Sequence, residues 1–218
     1  MRRPWLWCLV SLIVVAVAAR PARAQSVTCL PVAERQQPYG CFITAREELG
    51  PLPRDSSFYW HLYTFGSRAA AEQASAARST VVESLGRIWL FTLADASWQA
   101  KGGTRVERIG PLPLVEADSF AAVYMEGVFQ PGMHSVVHRH PGVEAWYTLE
   151  GEQCLETPRG KLVQRAGGRG VLVPGGLPMQ LTGTGRGERR SVVLILQDAT
   201  KPRSMLATDW TPKGLCAR

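Results

Sequence analysis

Three of the chain's four histidines lie within seven positions of one another, in the stretch G-M-H-S-V-V-H-R-H-P-G-V-E-A-W-Y-T-L-E-G from Gly132 to Gly151. His138 and His140 are two apart, so on an extended strand both rings project from one face. Pro141-Gly142 breaks that strand, and Glu144 opens a second alternating run, closed by Gly151. A short turn therefore brings together two imidazoles and a carboxylate, a donor set suited to a divalent metal ion. His134 shares strand parity with His138 but stands ~13 Å away along a regular strand, too far to serve the same ion. A place at the rim of the site, or on the plain surface, suits it better. Trp146 and Thr148 share parity with Glu144 and are expected to line the pocket beside it. Tyr124 and Met125 are further pocket candidates from the preceding strand, with their facing left open.

The spacing of these residues resembles the first motif of the cupins: Gly132, five residues, His138-x-His140, three residues, Glu144, six residues, Gly151. Downstream, Gly168, five residues, Pro174-x-Gly176 is similar to the opening of the second cupin motif. The position where that family carries a further histidine holds Met179, and Gly183 stands where asparagine is frequent. The resemblance spans roughly residues 112–200. It implies a jelly-roll barrel with His138, His140 and Glu144 as metal ligands inside it, and Met179 in the fourth-ligand position or as a pocket wall. It also implies one divalent ion (Fe, Mn, Zn, Ni or Cu), a small-molecule ligand or substrate and, by family habit, a homodimer.

Residues 1–24 read as a Sec-type signal peptide. Arg2 and Arg3 precede the apolar run Trp5–Ala19, and Ala22-Arg23-Ala24 is a small-x-small cleavage site before Gln25. The apolar run falls short of the ~20 residues a spanning helix needs, so no membrane span is expected in the mature chain. Four of the 25 basic residues (Arg2, Arg3, Arg20, Arg23) and none of the 18 acidic ones lie in this segment. The mature chain would carry only +3, dispersed, which makes no case for nucleic acid. Arg186, Arg189 and Arg190 form a local cluster with Glu188 and read as a solvated loop. Export, to the periplasm or beyond, makes disulfides the expected state of Cys29, Cys41, Cys154 and Cys216. Four thiols allow three pairings; nearness in sequence favours Cys29 with Cys41, and Cys154 with Cys216 would then fasten the C-terminal tail.

Along the chain, Pro and Gly crowd residues 25–57 and leave room for short strands only. Phe58–Phe65, Thr80–Glu83 and Arg87–Leu93 read as strands. Arg68–Arg78 reads as a helix capped by Ser67, with alanines 70, 74 and 77 along one side. His61, among aromatics, reads as a packed side chain, and Trp60, Trp89 and Trp98 as core. Gly50-Pro-Leu-Pro53 recurs as Gly110-Pro-Leu-Pro113, each before a strand, a weak sign of duplication. Lys101-Gly-Gly103 is the best linker. Beyond it, strand signals with regular turns cover Phe120–Phe129, Met133–His140, Glu144–Glu150, Gln153–Thr157, Lys161–Arg165, Gly170–Val173, Met179–Leu181 and Arg189–Gln197, as in a sandwich or barrel.

The expected class is therefore mostly β. A small α+β subdomain (25–103) precedes a cupin jelly-roll β-barrel (104–200), and a tail (201–218) follows. The expected function is that of an exported metalloenzyme acting on a small molecule, dioxygenase- or isomerase-like. A non-catalytic ligand-binding or structural cupin with weak or lost metal binding is the alternative.

Overall fold

The structure, a computed structural model, describes residues 24, 25 and 29–217. The expected signal peptide falls almost wholly outside the described residues. The elements in chain order are β1 (Ala24–Gln25), β2 (Leu30–Pro31), β3 (Gly40–Gly50), β4 (Tyr59–Phe65), α1 (Arg68–Gln73), β5 (Ser79–Ser84), β6 (Arg87–Ala94) and β7 (Thr104–Ile109). They continue with β8 (Phe120–Phe129), β9 (His134–Ser135), β10 (His138–Arg139), β11 (Val143–Glu150), β12 (Glu152–Thr157), β13 (Gly160–Arg165), β14 (Val171–Val173), β15 (Gln180–Thr184), β16 (Arg189–Asp198) and β17 (Met205–Leu206).

All ten residues of β8 are buried. A strand with no solvent face must have a layer on either side, and alternation assigns its residues between them. Val123, Met125 and Phe129 join Trp146, Leu155, Val173, Leu181, Val193 and Ile195 in one core. It lies between the six-stranded sheet β14-β11-β16-β8-β3-β2 and the five-stranded sheet β1-β9-β15-β12-β13. These two sheets make a cupin-like double-stranded β-helix barrel. Phe120, Ala122 and Tyr124 point the other way, joining Val143, Ala145, Leu194 and Leu196 against Trp60, Leu62, Trp89 and Phe91. Those aromatics belong to a third layer, the antiparallel sheet β5-β6-β4-β7. Its far face carries α1, which packs Ala71 and Ala74 on Tyr63 and Leu90. Ser67 caps this helix by accepting from the Ala70 amide at 3.2 Å.

Several expectations change. The segment read as holding only short strands contains the eleven-residue β3, which pairs with β8 in the barrel sheet. Between Gly40 and Gly50 the chain has neither Gly nor Pro, but its run of polar residues hid the strand. Lys101–Gly103 connects β6 to β7 within one sheet rather than separating two halves. The chain therefore enters the barrel sheet, leaves it for β4–β7 and returns at β8. Both Gly-Pro-Leu-Pro segments are these crossings, and each drops its leucine, Leu52 and Leu112, into the shared core. The helix stops at Gln73, so Ala77 is exposed. His61 is packed, its Nε2 2.8 Å from the Asp95 carbonyl and its ring edge-on to Trp98.

The structure joins Cys29 to Cys41 and Cys154 to Cys216, with Cα–Cα distances of 4.9 and 5.7 Å. Glu156 of β12 accepts from the Lys213 and Leu215 amides, so the tail is held by backbone contacts as well as sulfur. Among the described residues, no helix is long and apolar enough to cross a membrane.

Ala122 and Ala145 are fully buried where the outer sheet meets the barrel. Ala122→Leu should overpack that contact and destabilise the protein by about 1–3 kcal/mol in denaturant titration; an unchanged midpoint would contradict the three-layer packing.

Candidate metal centre

The strand expected over Met133–His140 is broken at Val136–Val137. His134 stays in the five-stranded sheet, opposite Thr182. His138 turns to meet Met179 in an isolated antiparallel bridge, with amide-to-carbonyl distances of 3.1 and 2.8 Å. The chain then passes Pro141-Gly142 and enters β11. A Cβ at Gly142 would lie 2.0 Å from the Leu196 carbonyl oxygen, so only glycine brings the turn this close to β16. Glu144 sits two residues on, paired with Ile195 and Val173.

This path brings His138, His140 and Glu144 together, one ligand atom from each within 4.8 Å of the others. All three are buried, at 8%, 4% and 4% exposure. The imidazoles lie 4.9 Å apart, nearly perpendicular. Each ring is held through Nδ1: that of His138 donates to the Val136 carbonyl at 2.9 Å, and that of His140 to the Arg203 carbonyl at 2.6 Å. A carbonyl oxygen only accepts, so each Nδ1 carries the proton and each Nε2 keeps its lone pair. Metal-binding histidines are commonly held this way. Glu144 Oε2 is buried without a hydrogen-bond partner, 3.6 Å from His140 Nε2.

Burial sets the protonation. Desolvation pushes His140 down to about 3, and the neighbouring His138 pushes it further in the same direction; His138 is lowered mainly by burial too. Desolvation raises Glu144 to about 7 against the opposing pull of Arg189. The 3.6 Å contact of His140 with Glu144 is thus a neutral imidazole beside a carboxyl group, not an ion pair, at neutral pH. Two free imidazole lone pairs and an unpartnered carboxyl oxygen in an apolar recess fit a divalent cation.

The cavity beside these groups has a volume of about 60 Å³, and Met125, Trp146, Leu181 and Val193 supply its apolar wall. Thr148 is not part of that wall: it is buried further along β11 and hydrogen-bonds Gln164 and Ser191. His134 lines a different cavity, with Gln180, Thr182 and Glu156. Met179 is 1% exposed and packs in the barrel core, off the cavity wall. Of the two open candidates, Met125 faces the cavity and Tyr124 stacks on Phe91 outside the barrel. Arg189, read as part of a solvated loop, is 2% exposed and lines the cavity. Its parity with Val193 and Ile195 was the available signal. The Cys29–Cys41 pair also forms cavity wall.

Fold and site together define a cupin-like barrel with a candidate metal centre inside it. No protein-family model matches the chain, and no curated protein matches it. Among solved structures it is similar to a cupin-like protein of Thermotoga maritima, at 15% identity over 39% of this chain and 64% of that one, with a TM-score of 0.36. An uncharacterised double-stranded β-helix protein of Klebsiella pneumoniae matches at 19% over 40% and 76%, with a TM-score of 0.35. A DMSP lyase of Ruegeria pomeroyi matches at 21% over 43% and 45%, with a TM-score of 0.35. The chain thus spans less than two thirds of the Thermotoga protein and under half of the lyase.

Because Glu144 is raised from 4.5 to about 7, the unfolded chain releases its proton first as pH rises. Metal-free protein therefore loses stability from this group between pH 4.5 and 7, on the order of 3 kcal/mol. Glu144→Gln should gain stability relative to the metal-free wild type across that window and level off above it. A flat difference from pH 4.5 to 8, read by urea titration, would contradict the burial argument.

Proposed function

We propose that the barrel holds one divalent metal ion through His138 Nε2, His140 Nε2 and Glu144, and presents it to a small molecule in the adjoining cavity. The observation that carries this reading is the convergence of three buried ligand atoms within 4.8 Å while both Nδ1 protons are engaged elsewhere. Met179 packs in the core off the cavity wall, so the donors are two imidazoles and one carboxylate, and positions on the ion would stay open for an exogenous ligand. Held by His138, His140 and Glu144, such an ion would supply Lewis acidity towards an oxygen of that ligand.

The chain's own residues prepare this. The Val136 and Arg203 carbonyls fix the tautomers and aim the rings. The apolar wall keeps bulk water off the site and strengthens its electrostatics. The metal could be Fe, Mn, Zn, Ni or Cu, and the reaction oxygenative or isomerising; a fold of this type serves too many chemistries to name one. Export belongs to the same proposal, supported by two disulfides that need an oxidising compartment.

One observation favours a second reading, a non-catalytic cupin that binds a small ligand. Glu126, the other carboxylate of the cavity wall, is engaged by Arg35 at 2.7 Å and Ser84 at 2.7 Å. Among the described residues that line the cavity, no carboxylate or imidazole outside the ligand set is left free as a general base.

Metal analysis of protein purified from the exported fraction should give about one divalent ion per chain, and almost none for a His138→Ala/His140→Ala variant. Equal content in the two would remove the metal reading and the enzyme with it.

A further inference from the structure

Arg189 has no part in holding an ion, yet the barrel goes to some length to place it in the same cavity. Its register partner on β8 is Phe129, and its side chain reaches back over Gly127, where a Cβ would fall 2.6 Å from Arg189 Nη1. The guanidinium lies over the Phe129 ring, 4.1 Å from its centroid. Its one hydrogen bond among the described residues runs from Nη1 to the Gly127 carbonyl at 3.2 Å, and Nε is buried without an acceptor. A guanidinium carries five N–H donors, and burying it this thinly partnered is costly unless something else answers its charge.

Glu144 is the one carboxylate of the cavity lining not engaged by other side chains, and a divalent ion would claim it. The cavity then holds the ion and Arg189 against a single carboxylate, an excess of two positive charges. Glu126 cannot make it up, because Arg35, Ser84 and the Leu85 amide already occupy it. What the cavity lacks is an anion. The uncommitted Nε–Nη2 edge is a planar pair of donors, the shape that matches a carboxylate through two parallel hydrogen bonds. The small volume and apolar wall leave room for a short chain behind it.

We propose that Arg189 binds the carboxylate of a small carboxylic acid, and that such acids are the ligand or substrate class of this cavity. The proposal rests on the metal centre described above, and its test keeps the two apart. Zn²⁺-loaded protein is titrated with ¹³C-labelled acetate, with acetamide, which has the same shape and no charge, and with inorganic phosphate, all followed by NMR. Wild type should prefer acetate to acetamide and to phosphate by about ten-fold or more. Arg189→Met should lose that preference with Zn²⁺ stoichiometry unchanged, and Arg189→Lys should recover part of it. Equal affinity of wild type for acetate and acetamide overturns the proposal without recourse to any variant. So does acetate binding that survives in Arg189→Met, which would assign the anion to the metal alone, and so does a preference for phosphate. If wild type takes up no Zn²⁺, the metal reading fails by itself. The carboxylate proposal is then decided on metal-free Glu144→Gln protein, where position 144 carries no charge: an acetate preference there supports it, and none overturns it.

Discussion

The organisation of this site follows from one constraint: three polar groups are buried together with their lone pairs unspent. Burying an imidazole or a carboxyl group costs free energy unless each polar atom finds a partner. Here the Nδ1 atoms of His138 and His140 find backbone carbonyls, while Glu144 Oε2 finds no partner and stands 3.6 Å from His140 Nε2. Neither histidine relieves this by protonating, since burial above all holds both below their ordinary range, helped at His140 by His138 and at His138 by Arg203. A divalent cation would satisfy all three at once.

The rest of the barrel makes this arrangement rigid. His140 is tied to the C-terminal segment through the Arg203 carbonyl, with the Ser204 hydroxyl 3.2 Å from its Nδ1. The Gly176 amide donates to the His140 carbonyl at 2.8 Å, so the Pro174–Gly176 turn props the strand end that carries the ligand. β17 pairs with β10 directly behind His138. Glu144 belongs to a strand paired on both sides, in a sheet itself sandwiched between two layers. Ligands mounted this way move little, which favours both affinity and selectivity for an ion.

Much of this was legible in the sequence because strand periodicity is local. Alternation placed His138, His140 and Glu144 on converging faces, and the Gly and Pro positions gave most strand ends after Phe120. What escaped depended on partners distant in the chain. β3 escaped as a long strand because Arg46, Glu47 and Glu48 break its apolar pattern, and only its pairing with β8 extends it from Gly40 to Gly50. His134 was placed by assuming one regular strand, and the break at Val136–Val137 sends it to another cavity. Thr148 has the parity of Glu144, but parity says nothing about depth along a barrel. Arg189 was hidden by its charged neighbours, for a basic cluster in sequence is ordinarily solvated; Gly127, two residues along β8 from its register partner Phe129, leaves the space its guanidinium fills. No residue pattern could disclose that the Arg203 carbonyl orients His140.

The most direct measurement of the central claim is the proton balance of metal binding, taken by calorimetric titration in buffers of differing ionisation enthalpy. With Glu144 held near 7 and His140 near 3, an entering ion should displace about one proton per chain at pH 6 and almost none at pH 8.5. Release of two or more protons at pH 6 would mean that the histidines are not the neutral, preset ligands described here. No metal-linked heat at either pH would mean that the cluster holds no ion.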